Sequence, residues 1–360
     1  MPWWGACAST GGNEMDLQGI VQRYRERLAA GYGSGLTPDQ WSALNAIEGC
    51  RQGRYGELVL HCEDCRQRAY IPRSCGHRAC NQCQYHQAQA WLQRQRQKQL
   101  PVDYFMVTFT LPAELRPLAR RQPRAVYAAL MRCAAETLKR FGLNKNGFNA
   151  ELGLCAVLHT HSRRLDYHPH VHVVVPGGGI HRARREWRQL KGGYLFNGRA
   201  LASAFRGAML KALDEAGLKL ERTPKRWVAQ CQTVGRGTQA LQYLARYLYR
   251  GVISNRQIVE DDGEYVTFRY RDSKTGDWKT RRERGEVFLY LVLLHVLPKG
   301  LRRARDYGFL HGNARPLLKV VQWVLRVVLP KPRPKPVPTC RHCGGPMVLQ
   351  GFQPEWPRPG

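Results

Sequence analysis

The chain has 360 residues and a formal net charge of +30, from 57 Lys and Arg against 27 Asp and Glu. A basic excess of this size predicts a surface that neutralises a polyanion, and nucleic acid is the partner it favours. A membrane-spanning protein is excluded, because the longest apolar run, Val287 to Leu297, is too short to cross a bilayer and ends at Pro298.

The N-terminal segment, residues 1–15, lacks the basic start and apolar core of a secretion signal. We expect it to be a disordered extension, with Met15 as an alternative start to Met1. The chain contains twelve cysteines, a number that favours metal binding over disulfides in a cytoplasmic protein.

Helices and a cysteine-rich block are predicted for residues 16–100. Apolar residues recur at helical spacing from Leu17 to Tyr24, and Thr37-Pro38 opens a second helix with a capping residue followed by proline. Residues 84–100 predict a polar helix that ends at Pro101.

Cysteine spacing between residues 50 and 83 is typical of zinc sites. Cys62-x2-Cys65 and Cys80-x2-Cys83 lie about 15 residues apart, which fits the two halves of one tetrahedral site. Further ligands, enough for a second site, are Cys50, Cys75, His61 and His77. Four thiolates leave no open coordination position, so we expect structural zinc; buried free thiols are the alternative.

Residues 101–255 mix strands and helices without regular alternation, which favours an α+β domain over a doubly wound sheet. Predicted strands are residues 103–111, 152–160, 171–175 and 227–234. Predicted helices are residues 123–141 and 238–250.

The stretch from Tyr167 to Pro176 is the most informative in this domain. The two-residue period of a strand places His168, His170 and His172 on one face. Neutral imidazoles at that spacing are good ligands for a divalent metal. A histidine-rich strand edge with ordinary hydrogen bonds is the alternative.

The predicted helix at residues 238–250 has two different faces. Leucines face the core, while Tyr243, Tyr247 and Arg250 cluster on the opposite side. Beside a metal, two tyrosine hydroxyls are candidate nucleophiles for phosphorus, because a cation offsets the charge that develops on the phosphate. The alternative is that both tyrosine side chains only pack in an interface.

Residues 256–329 predict a hairpin around Lys274 to Asp277 and a helix at residues 285–297. Residues 330–360 form a basic, proline-rich tail whose first part suits an extended linker. Within this tail, Cys340-x2-Cys343 is half of a zinc knuckle, which either shares a metal with distant ligands or binds none.

Together these residues resemble the two-tyrosine branch of the His-hydrophobe-His (HUH) single-strand endonucleases, and within it the rolling-circle transposases of the insertion-sequence ninety-one family. The resemblance covers most of the chain. Its motifs are Ser74-Cys75-x4-Cys80-x2-Cys83, Leu158-His159-Thr160, His168 to Gly179, Tyr243-Leu-Ala-Arg-Tyr247 with Ile253 to Asn255, and His295 to Gly300 followed by Arg305 to Gly308. Ala79 and His161 depart from the family pattern, where a histidine and an aromatic residue are expected.

The resemblance implies an HUH-endonuclease domain with a central antiparallel sheet flanked by helices, preceded by a small Cys-rich zinc-binding domain. It implies that His170 and His172 bind Mg²⁺ or Mn²⁺, with His159 as third ligand and His161 or His168 as alternatives. Tyr243 and Tyr247 would be the nucleophiles. Candidate contacts to DNA phosphate are Arg246 and Arg250.

The implied function is a bacterial, nucleoid-associated DNA transposase of undetermined oligomeric state, which cleaves and rejoins single-stranded ends through 5′-phosphotyrosine intermediates. A plasmid replication initiator or relaxase would use the same chemistry. A non-catalytic zinc-dependent DNA-binding regulator explains the charge and the cysteines but not the histidine strand. A metallohydrolase would need a carboxylate base beside the histidines, and the nearest one in this sequence is Asp166.

Overall fold

The computed structural model describes residues 16–190, 192–193, 195–218, 220, 222–236, 239, 252–272, 275–329 and 337–354. The chain divides into two compact units, and the boundary between them falls inside a helix. Unit 1 lies within residues 1–87, 250–296 and 331–360. Unit 2 lies within residues 88–249 and 297–330.

The described elements mix helices and strands, as predicted. The helices are α1 (Leu17–Tyr32), α2 (Pro38–Glu48), α3 (Asn81–Arg96), α4 (Arg116–Arg121), α5 (Pro123–Gly142), α6 (Gly198–Glu215), α7 (Gly285–Leu293) and α8 (Arg315–Val324). The strands are β1 (Glu57–Cys62), β2 (Arg68–Pro72), β3 (Asp103–Thr110), β4 (Glu151–Leu152), β5 (Leu154–His161), β6 (Tyr167–Pro176), β7 (Gly178–His181), β8 (Glu186–Gln189), β9 (Ala229–Arg236), β10 (Ile258–Asp261), β11 (Tyr265–Arg271), β12 (Trp278–Arg284), β13 (Ala304–Tyr307) and β14 (Met347–Gln353). No helix in these described ranges is long and apolar enough to cross a membrane.

The first two helices of unit 1 begin at residues whose side chains cap them. Asp16 accepts a hydrogen bond from the Gly19 backbone N–H at 2.8 Å and starts α1. Thr37 forms a capping box with Gln40 and starts α2. Asn255 was not expected to have a structural role, yet its Oδ1 accepts from the Leu17 backbone N–H at 3.2 Å and fastens the start of α1.

Unit 1 contains two three-stranded antiparallel sheets, in the orders β14-β1-β2 and β10-β11-β12. The predicted hairpin is β11 and β12. The expected domains were contiguous segments, and the structure differs here. The hairpin region and the described part of the C-terminal tail belong to the same unit as the cysteine block. The helix after the hairpin, α7, packs against α1, and β14 of the tail pairs with β1. Residues 330–336, predicted as a linker, lie outside the described part of the chain.

Unit 2 is built on a five-stranded antiparallel sheet in the order β13-β5-β6-β3-β9, which confirms the predicted central sheet. Helices α5 and α6 cover one face, where Phe109 of β3 meets Phe205 of α6 with ring centroids 4.7 Å apart. Helices α3 and α8 cover the other face, where Met106 and Val174 join one buried apolar cluster with Trp91. A second sheet has the order β4-β7-β8.

The edge strand β13 contains most of the Arg305 to Gly308 motif, and two motif residues fix its position. Asp306 accepts hydrogen bonds from Lys98 Nζ at 2.5 Å and from Gln95 Nε2 at 3.2 Å. Gly308 has a φ of +61°, and a Cβ at this position would lie 1.8 Å from the Leu152 carbonyl oxygen. Only glycine fits such a close approach of two backbone segments, so this motif glycine has a structural cause.

Candidate metal centre

Three histidines of unit 2 meet on the central sheet. Antiparallel pairing sets His159 of β5 opposite His170 of β6, and His172 lies two residues along β6 on the same face. The ring centroids are 5.2 Å apart for His159 and His170, 4.8 Å for His159 and His172, and 4.7 Å for His170 and His172. One ring nitrogen of each lies within 4.8 Å of the other two, so the three side chains form a cluster that could hold one ion.

The strand pairing also explains which face of the sheet carries the cluster. Along β6, His170 and His172 alternate with Val171 and Val173, and the two valines are fully buried on the side of the sheet that α5 and α6 cover. The histidines therefore continue the face occupied farther along by Met106 and Val174. The alternation predicted from sequence is the alternation observed.

Hydrogen bonds orient two of the rings. His170 Nδ1 donates to the His168 carbonyl oxygen at 2.7 Å, since a carbonyl can only accept, and this leaves the lone pair of the neutral ring on Nε2. His172 Nδ1 lies 2.9 Å from Thr108 Oγ1. The two Nε2 atoms are 3.1 Å apart. Two cis nitrogens bound to one ion at about 2.1 Å would be about 3.0 Å apart, so the donors fit a shared cation.

Burial keeps these imidazoles neutral. Removal from water lowers the pKa of His170 to about 4 and that of His172 to about 3. Burial, followed by the charges of His172, His170 and Arg303, holds the pKa of His159 well below its usual value. All three rings are therefore uncharged near neutral pH, which is the state a metal requires of a histidine ligand.

The two alternative third ligands lie outside this cluster. His168 Nδ1 accepts a hydrogen bond from the Arg116 guanidinium at 2.8 Å, so that nitrogen is occupied by another partner. The His161 ring is stacked beside His159 with centroids 6.2 Å apart, after an irregularity in the pairing of β5 with β6. Sequence reasoning missed Thr108 and Arg116, because their roles depend on strand register and on the packing of α4.

The predicted nucleophiles and phosphate contacts lie outside the described residues. These are Tyr243, Tyr247, Arg246 and Arg250. The strand that precedes them, β9, pairs with β3, and β3 carries Thr108 beside His172.

The described cysteines of unit 1 form two groups, and Cys62-x2-Cys65 does not join Cys80-x2-Cys83 as the spacing predicted. Cys50, Cys75, Cys80 and Cys83 have sulfur atoms that all lie within 4.8 Å of one another. Cys83 Sγ is 3.6 Å from Cys50 Sγ and 3.5 Å from Cys75 Sγ. His77 stays outside this group, because its Nδ1 accepts from the Ala79 backbone N–H at 3.2 Å.

The second group corrects the expected pairing of Cys62-x2-Cys65 with Cys80-x2-Cys83. Cys62 Sγ lies 3.4 Å from Cys343 Sγ, and Cys65 Sγ lies 3.6 Å from Cys340 Sγ. Nearness in sequence suggested the wrong partner, since the β1–β2 turn faces the C-terminal segment while Cys80 and Cys83 flank the start of α3. His61, a candidate for a second site, belongs to neither group.

A family model described as "Transposase zinc-binding domain" matches residues 19–111, and one described as "Putative transposase" matches residues 153–316. The chain is 35% identical to "Putative transposase y4qJ" of Sinorhizobium fredii over 324 residues, which cover 83% of this chain and 81% of that protein. It is 29% identical to "Transposase for insertion sequence element IS801" of Pseudomonas savastanoi pv. phaseolicola over 295 residues. These residues cover 75% of this chain and 70% of that protein. No solved structure shows a significant match.

Proposed function

Because the chain belongs to the IS91 family of DNA transposases and carries their N-terminal zinc-binding domain, we propose that it cuts single-stranded DNA with tyrosine nucleophiles beside a histidine-bound cation. The cluster of His159, His170 and His172 is the observation that carries this proposal. Three neutral nitrogens converge there, and the hydrogen bond from His170 to a backbone carbonyl aims its free lone pair at the same point.

The three histidines would hold Mg²⁺ or Mn²⁺, which when bound supplies positive charge to a scissile phosphate. The protein prepares this site in two ways. The sheet fixes the rings of His170 and His172 through Thr108 and the β6 backbone, and removal from water keeps both rings uncharged by lowering their pKa. A cation held by these preformed ligands would in turn fix the position of a phosphate bound to it.

Tyr243 and Tyr247 are the proposed nucleophiles, since they lie four residues apart in the sequence after β9, a spacing at which a helix would present both on one face. A tyrosine oxygen would form a bond to phosphorus while the bond from phosphorus to the 3′ oxygen breaks. The phenol proton passes through solvent to that 3′ oxygen. The products are a 5′-phosphotyrosine and a free 3′-hydroxyl, and the reverse step can reseal a strand without ATP.

The second tyrosine gives the proposal its link to rolling-circle transposition. A first covalent link can persist while the other tyrosine opens a second strand, so an element end and a target can be exchanged. Arg246 and Arg250 would contact DNA phosphates on either side of the cut. Chromosomal DNA as substrate would place the protein at the bacterial nucleoid.

The cysteine group Cys50, Cys75, Cys80 and Cys83 would bind structural zinc in this scheme. Its members come from the end of α2, the segment after β2 and the start of α3, so one ion would fasten three parts of unit 1. Four thiolates leave no coordination position for substrate, so this zinc would take no direct part in the proposed catalysis.

A strand-cleavage assay tests the metal part of the proposal. Labelled single-stranded and duplex oligonucleotides from both ends of the encoding element are incubated with Mg²⁺, Mn²⁺ or EDTA. We expect cleavage of the single strand only, lost with EDTA and lost in His170→Ala. His181→Ala is a matched control, since His181 lies on β7 and bonds to Asn149. Equal cleavage by His170→Ala and the unaltered protein would refute the histidine site.

A further inference from the structure

The turn between β1 and β2 has the backbone of a zinc knuckle. The Arg66 N–H donates to the Cys62 carbonyl at 3.1 Å, and the Cys62 N–H donates to the Gln67 carbonyl at 2.9 Å. Arg66 follows the second cysteine, Cys65, and adopts a φ of +57°. A non-glycine residue in this left-handed region is uncommon and needs a local reason.

The turn before β14 repeats this backbone. The Gly344 N–H donates to the Cys340 carbonyl at 2.9 Å, and the Cys340 N–H donates to the Gly345 carbonyl at 2.8 Å. Gly344 follows the second cysteine, Cys343, and has a φ of +77°. The two Cys-x2-Cys turns, 278 residues apart in sequence from Cys62 to Cys340, thus share both hydrogen bonds and the left-handed residue at the same positions.

The four thiols of these turns meet at one point. Cys62 pairs with Cys343 at 3.4 Å and Cys65 pairs with Cys340 at 3.6 Å, and all four sulfur atoms lie within 4.8 Å of one another. Sulfur atoms bound to one zinc at about 2.3 Å are about 3.8 Å apart in a tetrahedron. Two disulfides would instead bring each pair to about 2.05 Å.

The sheet that joins the turns has little apolar core of its own. Cys62 pairs with Met347 in the β1–β14 ladder, and the Glu63 N–H donates to the Pro346 carbonyl at 3.2 Å. The buried residues at its centre are Leu60, Met347 and the cysteines Cys62 and Cys340. A core of this size is too small to hold a separate strand, and small sheets of this kind depend on a metal or a disulfide.

We propose that Cys62, Cys65, Cys340 and Cys343 bind a second zinc ion that fastens the C-terminal segment onto β1 and β2. The two family matches end at residues 111 and 316, so neither includes both halves of this site. The ion closes the chain over 281 residues between Cys62 and Cys343. It turns the C-terminal segment from a tail into part of the zinc-binding unit, and it does so whether or not the tyrosine chemistry is correct.

Zinc content tests this site on the full-length protein, purified with a thiol reductant and measured by inductively coupled plasma mass spectrometry. We expect Cys340→Ser/Cys343→Ser to lose one zinc per chain. Cys62→Ser/Cys65→Ser should also lose one, and the variant with all four changes should lose no more than one, since both pairs hold the same ion. Cys231→Ser is the control that retains full zinc. Zinc content unchanged in Cys340→Ser/Cys343→Ser would overturn the proposal.

A second measurement uses the unaltered protein, so that misfolding of a variant cannot decide the result. Cys343 is exposed, and burial alone cannot shield it from iodoacetamide. We expect it to resist alkylation in the zinc-loaded protein and to react together with Cys62 and Cys65 after a chelator removes the metal, as read by peptide mass spectrometry. Rapid alkylation of Cys343 in the zinc-loaded protein, or disulfides joining the two turns under reducing conditions, would contradict the site.

Discussion

At the scale of single residues, two rings of the histidine cluster are oriented by neighbours that carry no charge. His170 is oriented by a backbone carbonyl and His172 by the Thr108 hydroxyl. Such outer contacts fix the tautomer of a metal-binding ring and raise its affinity for the ion. The strand period pointed to His170 and His172, and the family resemblance pointed to His159. Neither pointed to Thr108, because the pairing of Thr108 with His172 is set by strand register.

Thr108→Val should weaken metal binding without removing a ligand. The valine keeps the shape of the side chain and loses the hydroxyl beside His172 Nδ1, so we expect the affinity for Mn²⁺ to fall by about 10–100-fold. Isothermal titration measures this change. Thr233→Val is the matched control, since the Thr233 hydroxyl donates to the Gly193 carbonyl at 3.1 Å and not to a histidine. Equal affinity in both variants would show that Thr108 does not support the site.

At the scale of elements, local patterns predicted the strands and caps, and long-range pairing decided the rest. β3 and β6 are rich in β-branched and aromatic residues, and both were predicted as strands, as was β5. The fold of the tail was not predicted, because β14 forms a strand only by pairing with β1, which is distant in sequence. The same cause explains the wrong partner for Cys62 and Cys65, whose partners are distant in sequence.

Helix α6 was also missed, although its signal is present in the sequence. Asn197 caps it, with Oδ1 accepting from the Arg199 and Ala200 backbone N–H groups at 2.9 and 3.1 Å. Leu201 and Phe205 follow at a spacing of four and are fully buried. A capping residue followed by this apolar spacing would have located the helix.

Gly308→Ala should destabilise unit 2 because the new methyl group meets the Leu152 carbonyl oxygen and the φ of +61° is strained for alanine. We expect a loss of at least about 1–3 kcal/mol in the free energy of unfolding, measured by chemical denaturation. Gly312→Ala provides the comparison, since nothing lies within 4 Å of a Cβ at Gly312. If the two variants were equally stable, the close approach at Gly308 would be wrong.

At the scale of the whole molecule, the net charge of +30 was the most direct sequence evidence for a kind of partner. It favoured a polyanionic partner, and membership of a transposase family agrees with DNA as that partner. The cation site proposed at the histidine cluster would add chemistry that charge alone cannot supply. Composition thus indicated the class of partner, whereas strand pairing was needed to assemble the site.

DNA binding should depend steeply on salt, and Arg246 and Arg250 should contribute to that dependence. Each phosphate contact to a single strand adds about 0.7 to the slope of log affinity against log salt. We therefore expect Arg246→Gln/Arg250→Gln to reduce the slope by about 1.4, as measured by fluorescence anisotropy with an oligonucleotide.

Arg281→Gln/Arg282→Gln is the matched control for that measurement. Arg281 pairs with Glu283 at 2.7 Å and Arg282 pairs with Asp262 at 2.7 Å, so both charges already have acidic partners. We expect this control to change the slope less. An unchanged slope in Arg246→Gln/Arg250→Gln would remove these arginines from the DNA contacts.

Identification of the covalent adduct tests the central claim most directly. The full-length protein is incubated with single-stranded oligonucleotides from its element's ends and Mn²⁺, then digested, and the peptide that carries the nucleotide is sequenced by mass spectrometry. We predict a 5′-phosphotyrosine at Tyr243 or Tyr247, absent with EDTA and in Tyr243→Phe/Tyr247→Phe. Cleavage of the same ends with no adduct, or with an adduct on another residue, would contradict the tyrosine mechanism.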